Sequence, residues 1–428
     1  MKTIVSLKQM ITAGSLSPQL SMLYCCPEQE AKHYADRYLH VLEGLEIAFG
    51  EHDVAALFSA PGRTEIGGNH TDHQHGCVLA ASVNIDMIAA AAPNGLTCIR
   101  LLSEGYDTLC VDLHELCKRP EEENTSASIL RGTCAAFAER GANIFGLDIY
   151  IASNVPKGSG VSSSAAFEVL LGTIMNDLFM DEPVDTIEIA RIGQWVENVY
   201  FGKPCGLMDQ MASSVGGVVA IDFADPAVPV VQKVDFDLAD AGLALCIIDS
   251  GADHADLTDE YAAVPSDCSR VAAICGANVL RNVSYDVFLQ NIPTCRERLG
   301  DRATLRAMHF FADNARVGQQ VQAILDRNYN TFLSLVDQSG HSSFEYLQNV
   351  IPAGATTQQA VAVTIAVAKD ALRGRGAVRV HGGGFAGTVQ AFVPVEMVAD
   401  FKQQVEAVLG EGRCNVMLIR PVGGYRLS

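Results

Sequence analysis

Pro156 to Ala166 reads PKGSGVSSSAA and runs straight into an apolar stretch. Glycines at Gly158 and Gly160 allow a tight turn and close approach of backbone to a ligand. Ser162, Ser163 and Ser164 offer capping hydroxyls where a helix should begin. Ala166, Val169, Leu170, Ile174 and Leu178 then recur on one helical face. Such a loop aims free N–H groups and the positive end of a helix dipole at one point, and the guest that suits it is a phosphate. The plain alternative is a Gly/Ser turn that only starts a helix. No G-x-x-x-x-G-K-[ST] occurs in the chain, and this loop does not match G-x-G-x-x-G.

Phosphoryl transfer needs a phosphate cradle, a divalent metal, a cation near the transferred group and a positioned nucleophile. Three further segments supply candidates. Ser59 to Gly76, SAPGRTEIGGNHTDHQHG, is rich in polar groups yet lies between two apolar strands, and Arg63 is its one basic residue besides histidine. His70, Asp72 and His73 suit sugar hydroxyls or a metal, although histidines alone are more often structural. Glu197 to Gly217, ENVYFGKPCGLMDQMASSVGG, sets Asp209 among apolar residues, as a structural acceptor or as a base. For Glu197 on the preceding helix a surface place is the default. HGGGFAG, His381–Gly387, lies between two strands, where glycines mark close backbone approach to a ligand or a packing turn.

The elements that must position these residues follow from hydrophobic period. Residues 1–55 read as amphipathic helix with Tyr34, Tyr38, Val41, Leu42 and Leu45 on one side. Strands are expected at Val54–Ser59, Val78–Ala92, Thr97–Leu102, Val218–Asp222, Leu243–Asp249, Val378–Val380, Thr388–Val393 and Val416–Arg420. Turns are expected at Pro61-Gly62, Gly67-Gly68 and Pro93-Asn94-Gly95. Helices are expected at Ala127–Arg140, Ser163–Phe179, Thr186–Val199, Asp267–Ala273, Thr304–Asn328, Thr357–Leu372 and Pro394–Leu409. This mixture is α+β. The turn-rich FADPAVPV segment places a division between residues 1–225 and 226–428.

Across 428 residues, 49% are hydrophobic and 19% charged, enough for a large core. A formal net charge of −20 argues against nucleic acid, whose binding rests on clustered Lys and Arg. No apolar run is long enough for a membrane span. The 13 cysteines form no C-x-x-C pair, which suits free thiols in a reducing cytoplasm.

Taken together and in order, PGR with the N-H-T-D group, PxGSGVSSSAA, PCGLMDQ and HGGGFAG resemble the galactokinase branch of the kinase superfamily that also holds homoserine, mevalonate and phosphomevalonate kinases. The resemblance runs from about Phe49 to Val393; about 25 extra N-terminal residues fall outside it. It implies a two-domain GHMP-kinase fold, α+β, with the active site between the lobes, and a cytoplasmic monomer that uses ATP and Mg²⁺ to phosphorylate a sugar. It implies that Gly158, Ser159, Gly160, Val161, Ser162, Ser163 and Ser164 wrap the ATP phosphates and that Ser164 and Glu197 hold Mg²⁺. Asp209 and Arg63 would face the sugar C1 hydroxyl. Asn69, His70, Thr71, Asp72, Gly206 and Tyr261 would line the sugar site, and HGGGFAG would brace the phosphate loop from the second domain.

The pattern departs from the family's G-E-H-T-D-Y: this chain has Asn69 for the glutamate that holds the C6 hydroxyl and His73 for the tyrosine. An amide at position 69 would not repel a C6 carboxylate as an acid would. Galactose is therefore the first expected substrate and a C6-modified sugar such as galacturonate the second. A non-catalytic sugar- and ATP-sensing relative and a mevalonate-type kinase are the other readings. The intact Ser164-Ala165-Ala166 with Asp209 and Arg63 opposes the first of these, and the polar N-H-T-D group opposes the second.

Overall fold

The computed structural model describes residues 1–156, 160–252 and 257–428. A short strand β1 (Lys2–Thr3) opens the chain and three helices follow, α1 (Ile4–Thr12), α2 (Ser17–Tyr24) and α3 (Ala31–Phe49). The expected N-terminal helix is thus broken twice. Thr3 caps α1 by accepting from the Ser6 N–H, and Pro18 sits in the first turn of α2, where its missing N–H costs nothing.

The first lobe continues with β2 (Val54–Gly67), β3 (Cys77–Pro93), β4 (Cys98–Ser103), β5 (Leu109–Asp112), α4 (Ser126–Glu139), β6 (Leu147–Ser153), α5 (Ser163–Phe179), α6 (Thr186–Val196), α7 (Met208–Val215), β7 (Val218–Asp222) and β8 (Val230–Val234). The main strand path is β1-β2-β3-β6-β4-β5, antiparallel except for β4 beside β6; β7 also pairs with β3, and β8 with β7. Alternate residues of β3 serve two cores. Ile88, Ala90 and Ala92 pack under α1–α3, and Ala89 and Ala91 pack under α4–α6. A strand covered on both faces needs an unbroken apolar run, which explains the alanine-rich sequence there.

The second lobe holds β9 (Leu243–Asp249), α8 (Thr258–Ile274), α9 (Tyr285–Leu299), α10 (Asp301–Leu325), α11 (Tyr329–Ser342), α12 (Ala360–Leu372), β10 (Ala377–Val380), β11 (Thr388–Pro394), α13 (Val398–Leu409) and β12 (Cys414–Met417). Its sheet runs β10-β11-β9-β12, all antiparallel. Leu245 and Ile247 join a core with Ile66 and Leu79 of the first lobe, so the two lobes share buried surface.

Several sequence expectations change. Pro61-Gly62 is not a turn: β2 runs through it, with register shifts between Pro61 and Arg63 and between Glu65 and Gly67. Bulges of this kind re-aim side chains without ending the strand. The β7–β8 hairpin crosses the expected 225/226 division, and a last strand β13 (Tyr425–Arg426) returns to pair with β2. Strand β8 is part of the first sheet and β9 of the second, and the C-terminal β13 pairs back into the first sheet. Pro265 and Pro293 lie inside α8 and α9, so the expected helix Asp267–Ala273 is the end of a longer one that starts before a proline.

Asp86 of β3 ties these parts together. It is fully buried and accepts from Tyr24 at 2.7 Å, Arg37 at 2.7 Å, Ser59 at 2.5 Å and Arg420 at 3.2 Å. Its main-chain carbonyl accepts from Asn154, at the entrance to the phosphate loop. The N-terminal helices and the C-terminal tail therefore brace β3, whose Asp86 carbonyl holds the backbone just before the loop. Breaking such a buried pair from one side costs about 3–5 kcal/mol.

Candidate active site

Arg63 points inward from the bulged part of β2 and is 7% exposed. Its Nε donates to Asp209 Oδ1 at 2.7 Å, and its second terminal nitrogen donates to Asp209 Oδ2 at 2.8 Å. The remaining nitrogen donates to the Gly160 carbonyl, and the Arg63 main-chain N–H donates to the Val161 carbonyl at 3.0 Å. One residue thus grips both the acid and the loop. The fork geometry is specific to guanidinium.

Asp209 lies in the first turn of α7, where a helix dipole favours negative charge. Its side chain is 31% exposed, so part of the carboxylate faces open space. Burial pushes the Asp209 carboxyl up, but the Arg63 guanidinium and the Ser162 hydroxyl more than offset this, and it ends below the ordinary carboxylate value. Asp209 is therefore ionised at neutral pH.

Ser162 does not cap α5 as expected. It precedes the helix in a left-handed conformation with φ 56° and makes no side-chain cap bond. Its hydroxyl donates to Asp209 Oδ2 at 2.7 Å instead. Ser163 and Ser164 occupy the first turn of α5, with Ser164 exposed. Gly160 has φ 70°, and a Cβ there would lie 2.5 Å from Thr388 Oγ1 and 3.0 Å from His381 Nδ1. Only glycine lets the loop touch the second lobe so closely. Gly158 and Ser159, expected to contact phosphate, lie outside the described residues.

Behind the loop, Glu197 is 4% exposed and opens a short π-turn at the end of α6, not the surface position that was its default. Its Oε2 accepts from Gln210 Nε2 at 2.9 Å, and its Oε1 lies 3.6 Å from Lys203 Nζ. Glu168 of α5 accepts from the same Gln210 nitrogen at 2.9 Å. Burial, and next the charge of Glu197, hold the Glu168 carboxyl well above its ordinary value.

The sugar-motif residues divide into two sets. Asp72 and Gly206 are neighbours: a Cβ on Gly206 would fall 2.0 Å from Asp72 Oδ2. His73 is exposed beside Asp72. His70 Nε2 donates to the Gly383 carbonyl at 2.9 Å, which pins the motif to the glycine turn of the second lobe. The Tyr261 hydroxyl donates to the Gly384 carbonyl at 2.7 Å, and its ring meets Phe385 edge-on at 5.4 Å.

Asn69 and Thr71 are both sealed from solvent. Asn69 is fully buried; its Nδ2 donates to Glu65 at 3.0 Å and to the Gly382 carbonyl at 2.6 Å, and its Oδ1 accepts from Asn349 at 2.8 Å. The Thr71 hydroxyl is fully buried between the Gly68 and Cys77 carbonyls, at 2.8 and 2.6 Å. Their hydrogen-bonding capacity is used in holding the motif's own shape. Arg379 reaches the same cluster by an ion pair with Glu65, both side chains being buried.

Sequence reasoning missed Glu168, Gln210, Glu65 and Thr388. Gln210 directly follows Asp209 in PCGLMDQ, and Glu168 lies four residues after Ser164, so a helical-wheel reading was the available signal.

The galactokinase galactose-binding signature matches residues 46–93, and the GHMP kinases N-terminal domain matches residues 128–217. The first span carries Arg63 and Asp72, the second the loop, Glu168, Glu197 and Asp209. A galactokinase of Streptomyces coelicolor is 31% identical over 355 residues, 82% of this chain and 87% of that protein. The structure of Lactococcus lactis galactokinase complexed with galactose superposes with a TM-score of 0.77 at 24% identity, covering 90% of this chain and 98% of that one. A Methanococcus jannaschii mevalonate kinase shares the fold more distantly, with a TM-score of 0.61 at 13% identity over 86% of this chain and 99% of that one. The chain belongs to the galactokinase family of the GHMP kinases.

Proposed function

We propose that the protein is an ATP-dependent sugar 1-kinase that converts galactose and ATP to galactose 1-phosphate and ADP. The observation that carries this is the Arg63 fork on an ionised, partly exposed Asp209, with Ser162 of the phosphate loop on the same carboxylate. An anomeric hydroxyl placed on Asp209 is held against the loop by construction. Asp209 takes its proton as the oxygen bonds to the γ-phosphorus, and the β–γ bridging oxygen leaves with its electron pair on ADP. Arg63 keeps Asp209 charged before transfer and offsets negative charge on the phosphoryl group during it. The N–H groups at the start of α5 face the phosphates. Asp72 and the Gly206 segment are the sugar-side contacts; Asn69 and Thr71 act behind them.

The residues also fit Mg²⁺. Ser164 is open at the first turn of α5, and Glu197 has an oxygen whose closest cation is the exposed Lys203 at 3.6 Å. A hydroxyl and a carboxylate are hard oxygen donors of the kind Mg²⁺ takes alongside phosphate oxygens and water. When bound, the ion would neutralise charge on the phosphates.

Asn69 is sealed, with its amide engaged by Glu65, Gly382 and Asn349, and this supports galactose over a uronic acid acceptor. The test is ADP release with galactose, galacturonate, arabinose and N-acetylgalactosamine, repeated with Asp209→Asn. Galactose should give the highest kcat/KM, and D209N should lower kcat by about 100-fold or more. Sugar binding without turnover in both proteins would favour the sensing reading. A preference for galacturonate would restore the C6 alternative.

A further inference from the structure

We infer that Glu168 is a positioning residue for the divalent cation, acting through Gln210 to fix the Glu197 carboxylate. The inference rests on the kinase reading above. Gln210 donates from one nitrogen to Glu168 Oε2 and Glu197 Oε2, each at 2.9 Å. The three side chains come from α5, α7 and the π-turn after α6, so the amide is a clamp between three elements. All three are sealed, at 2%, 4% and 1% exposure for Glu168, Glu197 and Gln210. Glu168 follows Ser164 by four residues and therefore lies one turn beneath it on the same face of α5. Gln210 adjoins Asp209, so the clamp also links the proposed metal side of the cleft to the proposed base.

Two features argue that this is more than core packing. The Gln210 Oε1 atom is buried with no hydrogen-bond partner. An amide turned to give both hydrogens to carboxylates must aim its oxygen elsewhere, and an unmet buried acceptor is costly. The orientation persists because two acceptors demand it. In addition, two carboxylates share this buried space, and among the described residues the cation paired with them is Lys203, whose side chain is 62% exposed. Two acids packed together ordinarily repel; a divalent cation at the Glu197 end would balance them. Residues that orient a ligating carboxylate are as much part of a metal site as the ligand itself.

The test uses Mn²⁺ in place of Mg²⁺, with ADP, and follows free Mn²⁺ by electron paramagnetic resonance. Glu168→Gln keeps the side chain's size and replaces its carboxyl group by an amide. We expect Mn²⁺–ADP binding to weaken about 10- to 100-fold, while galactose affinity measured by calorimetry stays within about 2-fold. Gln210→Met breaks the clamp and touches neither carboxylate; it should weaken Mn²⁺–ADP in the same direction, and it serves if E168Q fails to fold. Unchanged Mn²⁺–ADP affinity in a folded variant of either kind, or equal losses for Mn²⁺–ADP and galactose, would overturn the inference. If the wild-type protein itself bound no Mn²⁺–ADP, the kinase reading would fall first.

Discussion

Arg63 uses every nitrogen of its guanidinium, two on Asp209 and one on the Gly160 carbonyl. A lysine has a single nitrogen and no planar fork to span both carboxylate oxygens, so the arginine sets the orientation of the acid as well as its charge. Ser162 adds a third donor to the same carboxylate. Donors to the charged form lower a pKa, so removing one raises it. Ser162→Ala should therefore move the acid limb of the kcat/KM profile to higher pH, with the alkaline limb unmoved. A profile that keeps its acid limb would mean that Ser162 contributes nothing to holding Asp209 ionised. The motif was readable at this scale, because PGR and PCGLMDQ each name one partner of the pair. The role of Ser162 was not, since a serine before a helix has capping as its ordinary use.

Elements decide which motif residues can meet a ligand. The bulges in β2 aim Arg63 into the cleft, and the turn before α7 brings Gly206 against Asp72. Asp72 has an oxygen where a Gly206 side chain would be, so Gly206→Ala must displace either the carboxylate or the turn. Its expected signature is a sugar KM raised about 10-fold or more with ATP KM little changed. That magnitude corresponds to the loss of about 1.4 kcal/mol of binding, and comparable rises in both constants would point to a general loss of structure instead. Some short elements span too few periods and escaped the sequence, although β7 and β10, just as short, were expected. Helix α7 has 8 residues, and β5 has 4. Strand β6, by contrast, carries a clear alternation in Leu147, Ile149 and Ile151 that was there to be read.

Across the whole molecule, the junction between lobes depends on neutral histidines. His381 accepts the Glu65 main-chain N–H on Nε2, which requires that nitrogen to be unprotonated, and its Nδ1 pairs with Thr388. His309 pairs with Ser342 and the Asn69 carbonyl. Burial lowers all three junction histidines; for His70, burial and then the neighbouring His73 take it from the ordinary 6.5 to about 4. Between these two values the unfolded chain binds protons that the folded chain refuses. Stability should hold above about pH 6.5, fall as pH drops toward 4, and fall again where Asp209, Asp86 and Asp313, all lowered, finally protonate. Urea midpoints recorded between pH 8 and pH 4.5 would check this. A midpoint independent of pH across that window would contradict it.

By itself the sequence determined the chemistry: a glycine–serine loop at a helix start, an arginine and an acid in matching motifs, and the α+β family that arranges them. Those features are local, set by residue type and spacing. Only the tertiary structure decided which polar side chains stay available. Asn69 looks like a ligand-binding group in a polar segment, yet its partner Gly382 lies more than 300 residues further along the chain, as does Arg379, the partner of the neighbouring Glu65. A buried polar group must be satisfied by whatever the fold brings beside it, and that is a property of contacts between distant segments.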